Sequence, residues 1–279
     1  MGLSLIESIV HHKRMYKVAL ITGASAGIGK VFAEILSKRG IEKLILVARR
    51  LERLEELKAE LYNEGFKGEL VALSCDLRVD EERVKLKEAV DKKGITVDLL
   101  VNNAGFGYVG KFLADEPVNQ REMIATNCIA PLHLAQLFLP QMRQSGHGAI
   151  INVASIAAYP PLPFMATYGA TKAFLLNWSV ALNHELKGRG IKVLALCPGP
   201  TESDFHLVAG VQNKIDVIKV MNAKAVVIAA LDGLEYGRAV VVPGLINQVL
   251  VWLTRFLPKS ALAWIGEKLL VSRVTLERR

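Results

Sequence analysis

Cysteine is scarce in this chain of 279 residues: Cys75, Cys128 and Cys197 stand far apart, with no C-x-x-C pair and no histidine cluster beside them. That pattern excludes a disulfide scaffold and a zinc site and fits a reducing compartment. Aromatic residues are few (6%), and no Lys/Arg-rich block is interleaved with them, so the footprint of a nucleic-acid binder is missing. No secretory leader is expected at the start of this sequence, because in MGLSLIESIVHHKRMYK the basic residues follow the apolar stretch and Glu7 interrupts it. Ile6 stands where myristoylation of Gly2 requires Ser or Thr. One charge-free run, Gln144 to Thr171, is long enough to cross a bilayer. It contains Asn152, Pro160, Pro161 and Pro163 and begins as a strand, so it reads as core. The expectation is a cytoplasmic globular chain, with residues 1–14 a loose extension.

Hydrophobic residues make up 51% and charged residues 22%, a globular balance that excludes wholesale disorder. Seven short, near-continuously apolar runs read as strands: KVALIT (17–22), KLILVA (43–48), ELVALS (69–74), VDLLVN (97–102), AIINVAS (149–155), IKVLALC (191–197) and AVVVP (239–243). Such runs suit parallel strands covered on both faces. Helical patterns alternate with them, which predicts an α/β, doubly wound Rossmann fold with a seven-stranded parallel sheet and helices on both faces. There is no linker, internal repeat or low-complexity segment. The expected organisation is an extension (1–14), one catalytic and cofactor-binding domain (15–244) and a hydrophobic, basic helical tail (245–279).

The first strand runs into Thr22-Gly23-Ala24-Ser25-Ala26-Gly27-Ile28-Gly29 and then a helix. Glycines at that junction let the backbone turn sharply and approach a pyrophosphate at the helix N-terminus. A triphosphate P-loop is only a near miss, since Ala24 and Val31 break its pattern. Further on, Tyr168 and Lys172 stand four residues apart, so phenol and ammonium share one helix face. A nearby ammonium favours the phenolate, and the spacing predicts a Tyr168 pKa pulled down from about 10. Ser155 stands at the carboxyl end of a strand, where open α/β sheets bind ligands.

The ordered set TGASAGIG (22–29), DL (76–77), NNAG (102–105), Asn127, Ser155, YGATK (168–172) and PGPT (198–201) resembles the short-chain dehydrogenase/reductase family, in its compact, non-extended branch. The resemblance runs from about residue 16 to 244 and implies a nicotinamide cofactor and a catalytic tetrad of Asn127, Ser155, Tyr168 and Lys172. It implies that Tyr168 protonates a carbonyl oxygen held by Ser155, that Lys172 tunes Tyr168 and binds the nicotinamide ribose, and that Asn127 orders a relaying water. Thr22, Gly23, Ser25, Gly27, Ile28 and Gly29 would hold the phosphates, and Asp76 and Leu77 would border the adenine. Asn103, Ala104 and Gly105 would line the middle of the cofactor, and Pro198, Gly199 and Thr201 would orient its carboxamide. Each has a plain structural alternative: Asn127 could bridge strands, Ser155 could satisfy backbone, and Asp76 could cap a helix.

After the second strand the chain has Arg49 and Arg50 and no carboxylate until Glu52. Guanidinium forks suit a 2′-phosphate, so the expected cofactor is NADPH, used for reduction. Arg50 could instead simply open a solvated helix. Phe106, Tyr108, Tyr159, Leu162, Phe164 and Met165 suggest an apolar pocket for a lipophilic ketone or 3-oxoacyl substrate. Ordinary core packing is the other reading. Residues 202–220 stand where the resemblance places a flexible lid. No metal is expected. Alternatives are alcohol oxidation at the same site, or a non-catalytic NADPH-binding, membrane-associated interaction protein.

The chain carries a net +8, half of it in residues 251–279, where six basic residues face two acidic ones. This tail holds Trp252, Trp264 and apolar residues at helical spacing. It could lie in a membrane interface as a peripheral contact. Packing on the domain or a partner subunit is favoured, because Pro258 and Gly266 break it into pieces. The resemblance also implies a homodimer or homotetramer formed through helices near 118–143 and 166–187.

Overall fold

The structure, a computed structural model, describes residues 16–114, 117–202 and 220–274. Seven parallel strands form one sheet: β1 (Val18–Thr22), β2 (Lys43–Ala48), β3 (Glu69–Ser74), β4 (Leu99–Asn102), β5 (Gly148–Val153), β6 (Ile191–Leu196) and β7 (Val240–Val241). Their order is β3-β2-β1-β4-β5-β6-β7. The expected sheet is therefore the observed one. Only β7 is much shorter than its apolar run, pairing with β6 through Ala195–Val240 and Leu196–Val241.

Residues alternate across the sheet, so each strand feeds two cores. Ala19 and Ile21 of β1 face one layer with Phe32 and Leu36 of α1 (Gly27–Lys38), Leu54 and Leu57 of α2 (Leu51–Asn63), and Val226, Val227 and Ala230 of α7 (Ala223–Glu235). Leu20 faces the other layer, with Leu86 and Val90 of α3 (Asp80–Lys92) and Leu134, Phe138 and Met142 of α5 (Ala130–Ser145). Each fully buried Val, Leu, Ile, Phe or Met side chain among them contributes roughly 1.5–3 kcal/mol. The remaining helix of that layer, α6 (Ala166–Glu185), is entered after the loop that follows β5. Between α3 and α5 a fully buried Arg83 donates from Nε to His133 Nδ1 at 3.0 Å and pairs with Leu77 O and Asp80.

A continuous helical stretch, Gln120–Ser145, is long and apolar enough to cross a membrane. Leu134, Phe138 and Met142 bury one face of it in the core, so it is a core helix of the α/β domain. It joins α4 (Pro117–Ile124) to α5 through a π-helical turn, Ala125–Ile129.

The tail forms α8 (Leu245–Leu253) and α9 (Lys259–Val274). Its packing on the domain is thinner than expected. Of α8 only Asn247 and Val251 are buried, while Leu245, Ile246, Val249 and Trp252 are exposed. In α9, Leu262 is buried and Gly266 lies against Leu162 and Pro163, but Trp264 and Leu269 are exposed. Residues 1–14 and most of the expected lid, 203–219, lie outside the described residues.

Candidate active site

Because β1 has β2 on one side and β4 on the other, successive crossovers leave the sheet in opposite directions there, opening a crevice at the strands' carboxyl ends. The glycine-rich turn sits in that crevice. Gly23 and Gly27 have φ of 64° and 55°, a left-handed backbone that favours glycine. At Gly29 an added Cβ would lie 2.3 Å from Gly23 O and 2.5 Å from Asn103 Nδ2, so only glycine lets the helix approach the turn this closely. The N–H groups opening α1 have no intrahelical acceptor and no acidic side chain in the first turn, a ready site for a diphosphate. This cradle fits the dinucleotide that the sequence implies.

The turn is locked from β4. Asn103 Nδ2 donates to Thr22 O at 2.9 Å and Gly23 O at 3.2 Å, and Thr22 Oγ1 accepts from Asn103 N and Ala104 N at 2.9 and 3.0 Å. Thr22 and Asn103 therefore hold the cradle's shape. Ser25 and Ile28 lie partly buried along it. Arg49 and Arg50 are exposed at the end of β2, with Ala24 N tied to Val47 O at 3.2 Å, which places the turn beside them. Among the described residues neither guanidinium forms a salt bridge, and Arg50 also opens α2.

Asp76 and Leu77 are less available. Asp76 accepts two hydrogen bonds from Arg78 Nε and Nη2, at 2.9 and 2.5 Å, which hold its carboxyl below the usual carboxylate range. It does not cap α3, whose N-cap is Val79. Leu77 points its side chain into the core.

The four residues of the expected tetrad come together. Tyr168 is buried in the first turn of α6 and hydrogen-bonded to Ser155. Ser155 Oγ also accepts from Ala157 N at 3.1 Å and reaches Pro198 O at 3.5 Å. Lys172 lies one turn along α6, its Nζ 5.8 Å from the Tyr168 ring centroid and donating to Val153 O at 2.7 Å. Asn127, in the π-helical turn, exchanges hydrogen bonds with Phe106 backbone and donates to Thr171 Oγ1 at 3.0 Å. A Cβ on Gly105 would fall 2.9 Å from Asn127 Oδ1 and 3.4 Å from Lys172 Nζ, so these two groups converge on the glycine.

The electrostatics differ from expectation in one respect. Burial pushes the Tyr168 phenol up to about 12, partly opposed by the Ser155 hydrogen bond, and pushes Lys172 down to about 8. Desolvation penalises both charged forms, and at this site it is the largest influence on each.

Beside Tyr168 opens a pocket of about 280 Å³, its mouth included, lined by Tyr108, Phe112, Met123, Phe164, Met165 and Tyr168 among others. Phe164 has φ of 65°, a strained conformation for a non-glycine residue, and its carbonyl accepts from Gly110 N at 2.9 Å. Thus the strained wall is pinned to the loop opposite. Of the expected lining, Tyr108, Phe164 and Met165 are in place and Phe106, Tyr159 and Leu162 are not, while Phe112 and Met123, which belong to no motif, were missed.

The loop Pro198–Thr201 closes the crevice. Pro198 O accepts from Ile156 N at 3.0 Å, and Thr201 Oγ1 donates to Gly199 O at 2.9 Å. A residue no motif flagged, Asn247 of α8, presses against Gly199 from behind.

Comparison with known proteins agrees with this geometry. A very-long-chain 3-oxoacyl-CoA reductase of Phaeosphaeria nodorum is 36% identical over 202 residues, covering 71% of this chain and 56% of that protein. The protein of the same name in Bos taurus is 33% identical, covering 64% of this chain and 58% of its own length. The chain thus spans little more than half the length of these relatives. Among solved structures, a short-chain dehydrogenase from Sphingobium yanoikuyae in complex with NADPH has 32% identity and a TM-score of 0.77, with 94% of this chain and 98% of that one covered. A bulky-bulky ketone specific alcohol dehydrogenase from Comamonas testosteroni has 30% identity and a TM-score of 0.73, covering 88% and 96%. The family model described as short chain dehydrogenase matches residues 17–212, most of the chain, and the protein belongs to that family.

Proposed function

We propose that the protein reduces a lipophilic ketone, of the 3-oxoacyl type, to an alcohol with NADPH. The observation that carries this reading is the hydrogen-bonded Ser155–Tyr168 pair beside Lys172, next to a pocket to which Phe112, Met123, Phe164 and Met165 contribute. NADPH, when bound, supplies the hydride that adds to the carbonyl carbon. Ser155 and Tyr168 hold the carbonyl oxygen, and the Tyr168 hydroxyl gives it a proton as negative charge develops there. Burial pushes the Tyr168 phenol up to about 12, so the free site holds it protonated, the form that can give a proton to the carbonyl oxygen. Lys172 and Asn127 line the way by which the proton is restored. Arg49, with Arg50, would take the 2′-phosphate, the N-terminus of α1 the diphosphate, and Pro198–Thr201 the carboxamide.

The relatives named for 3-oxoacyl-CoA and bulky ketones support the substrate class. The side chains of Phe112, Met123, Phe164 and Met165 beside Tyr168 suit the acyl part of such a molecule. We further infer that Ile124, Ile129, Phe174 and Val180, apolar and exposed on α4–α6, mediate self-association into a homodimer or tetramer. The exposed apolar face of α8–α9, with Arg255, Lys259 and Lys268 against Glu267, fits peripheral contact with an anionic membrane from the cytoplasmic side. Co-sedimentation with anionic and neutral vesicles tests that contact.

A screen of 3-oxoacyl-CoAs and bulky ketones, followed by loss of reduced-nicotinamide absorbance with NADPH and with NADH, tests the activity. NADPH-dependent turnover that rises with substrate hydrophobicity is expected. Tight NADPH binding with no turnover across the screen would point to a binding protein instead.

A further inference from the structure

We propose that Asn247, on the C-terminal helix α8, is a positioning residue for the nicotinamide end of the cofactor site, which α8 thereby completes. This rests on the NADPH reading above and concerns a residue outside every motif of the site.

Three features of Asn247 point there. Its side chain is only 3% exposed, although most of α8 is apolar and exposed, so the helix buries its amide in preference to its leucines. A buried amide is costly unless bound, and Nδ2 donates to Pro243 O at 2.8 Å and lies 3.1 Å from Met221 Sδ, while Oδ1 is buried without a hydrogen-bond partner. The amide is also pressed against Gly199: a Cβ there would lie 2.6 Å from Nδ2 and 2.7 Å from Oδ1. Gly199 has no left-handed φ, so the amide's proximity, rather than backbone conformation, is what requires glycine at that position.

Met221 extends the contact to the rest of the loop. It forms a bridge with Thr201, its N–H donates to Pro200 O at 2.8 Å, and its carbonyl accepts from Glu202 N at 3.0 Å. One amide therefore touches both Gly199 in the loop and the residue that clasps Pro200–Glu202. Asn247 sets where the Pro198–Thr201 backbone stands relative to Ser155, to which Pro198 O is joined.

The test compares NADPH with adenosine 2′,5′-bisphosphate, which keeps the 2′-phosphate and lacks the nicotinamide, by calorimetry on wild type, Asn247→Ala and Gly199→Ala. Both variants should bind NADPH at least about tenfold more weakly while holding the bisphosphate within about twofold of wild type. Undiminished bisphosphate binding reports an intact fold, and a merely structural role would not separate the two ligands. NADPH affinity within about twofold of wild type in Asn247→Ala overturns the inference, whatever Gly199→Ala does, as does a parallel loss of both ligands in Asn247→Ala. Should Asn247→Ala fail to fold, Asn247→Ser and Asn247→Asp take its place with the same two ligands. Wild type binding no NADPH would overturn the cofactor reading itself, and the inference with it.

Discussion

Replacing Lys172 by methionine should change stability in a way that depends on pH. The ammonium is buried and its pKa falls from 10.5 to about 8, which corresponds to a cost of about 3 kcal/mol for keeping it charged inside the fold. Below about pH 8 the lysine is protonated in both folded and unfolded chains, and the native state bears the whole cost. Between about 8 and 10.5 the unfolded chain keeps the proton and the folded chain releases it, so the cost fades as pH rises. Methionine fills similar space without charge but strands Val153 O, a loss of about 1–2 kcal/mol. The variant should therefore be more stable by about 1–2 kcal/mol near pH 7 and no more stable than wild type near pH 10. Cys128 and Cys197, whose thiols couple to Lys172, stay protonated in the fold up to about pH 11, so the difference between the two proteins is set mainly by the lysine. Urea unfolding of both proteins near pH 7 and pH 10 measures it. A stability gap that stays flat across that range would refute the reasoning, because it would mean that Lys172 holds its charge in the fold without penalty.

Gly29→Ala forces a methyl to within 2.3 Å of Gly23 O, a backbone atom, so NADPH affinity should fall at least about tenfold with a lowered Tm; an unchanged Kd would deny the cradle its role. Arg49→Ala removes a charge-assisted contact of about 1.5–3 kcal/mol, so binding of NADPH, but not NADH, should weaken by tenfold or more; equal effects on both would leave the cofactor preference unexplained. The three thiols are buried and pushed up to about 11 (Cys128) or about 12 (Cys75 and Cys197), so native protein should react with an aromatic disulfide near pH 8 far more slowly than unfolded protein. Rapid reaction of even one thiol in the native state would contradict the burial.

The sheet was legible because parallel strands covered on both faces must be apolar throughout, and such runs stand out; KLILVA and ELVALS coincide with β2 and β3 to the residue. That Asn127, Ser155, Tyr168 and Lys172 come together was legible through motifs whose spacing survives folding. What stayed hidden depends on distant neighbours. The direction of the Tyr168 shift turns on burial, which the Tyr168–Lys172 spacing does not report. Asp76 is claimed by Arg78 two residues on, a local pairing that could have been read. The π-helical turn that aims Asn127 leaves no pattern, and Asn247 is one amide in an apolar tail that meets Gly199 only in the folded chain. The tail's apolar spacing predicted helices correctly but not how little of them the domain would cover.

The proton-donor role of Tyr168 is tested most directly by Tyr168→Phe, which removes one hydroxyl from a buried ring and leaves its packing in place. Single-turnover reduction of a 3-oxoacyl-CoA by the NADPH-loaded variant should be slowed at least about a hundredfold, with NADPH affinity unchanged. Reduction at the wild-type rate would show that another group protonates the carbonyl oxygen, and the assignment of this site would fall.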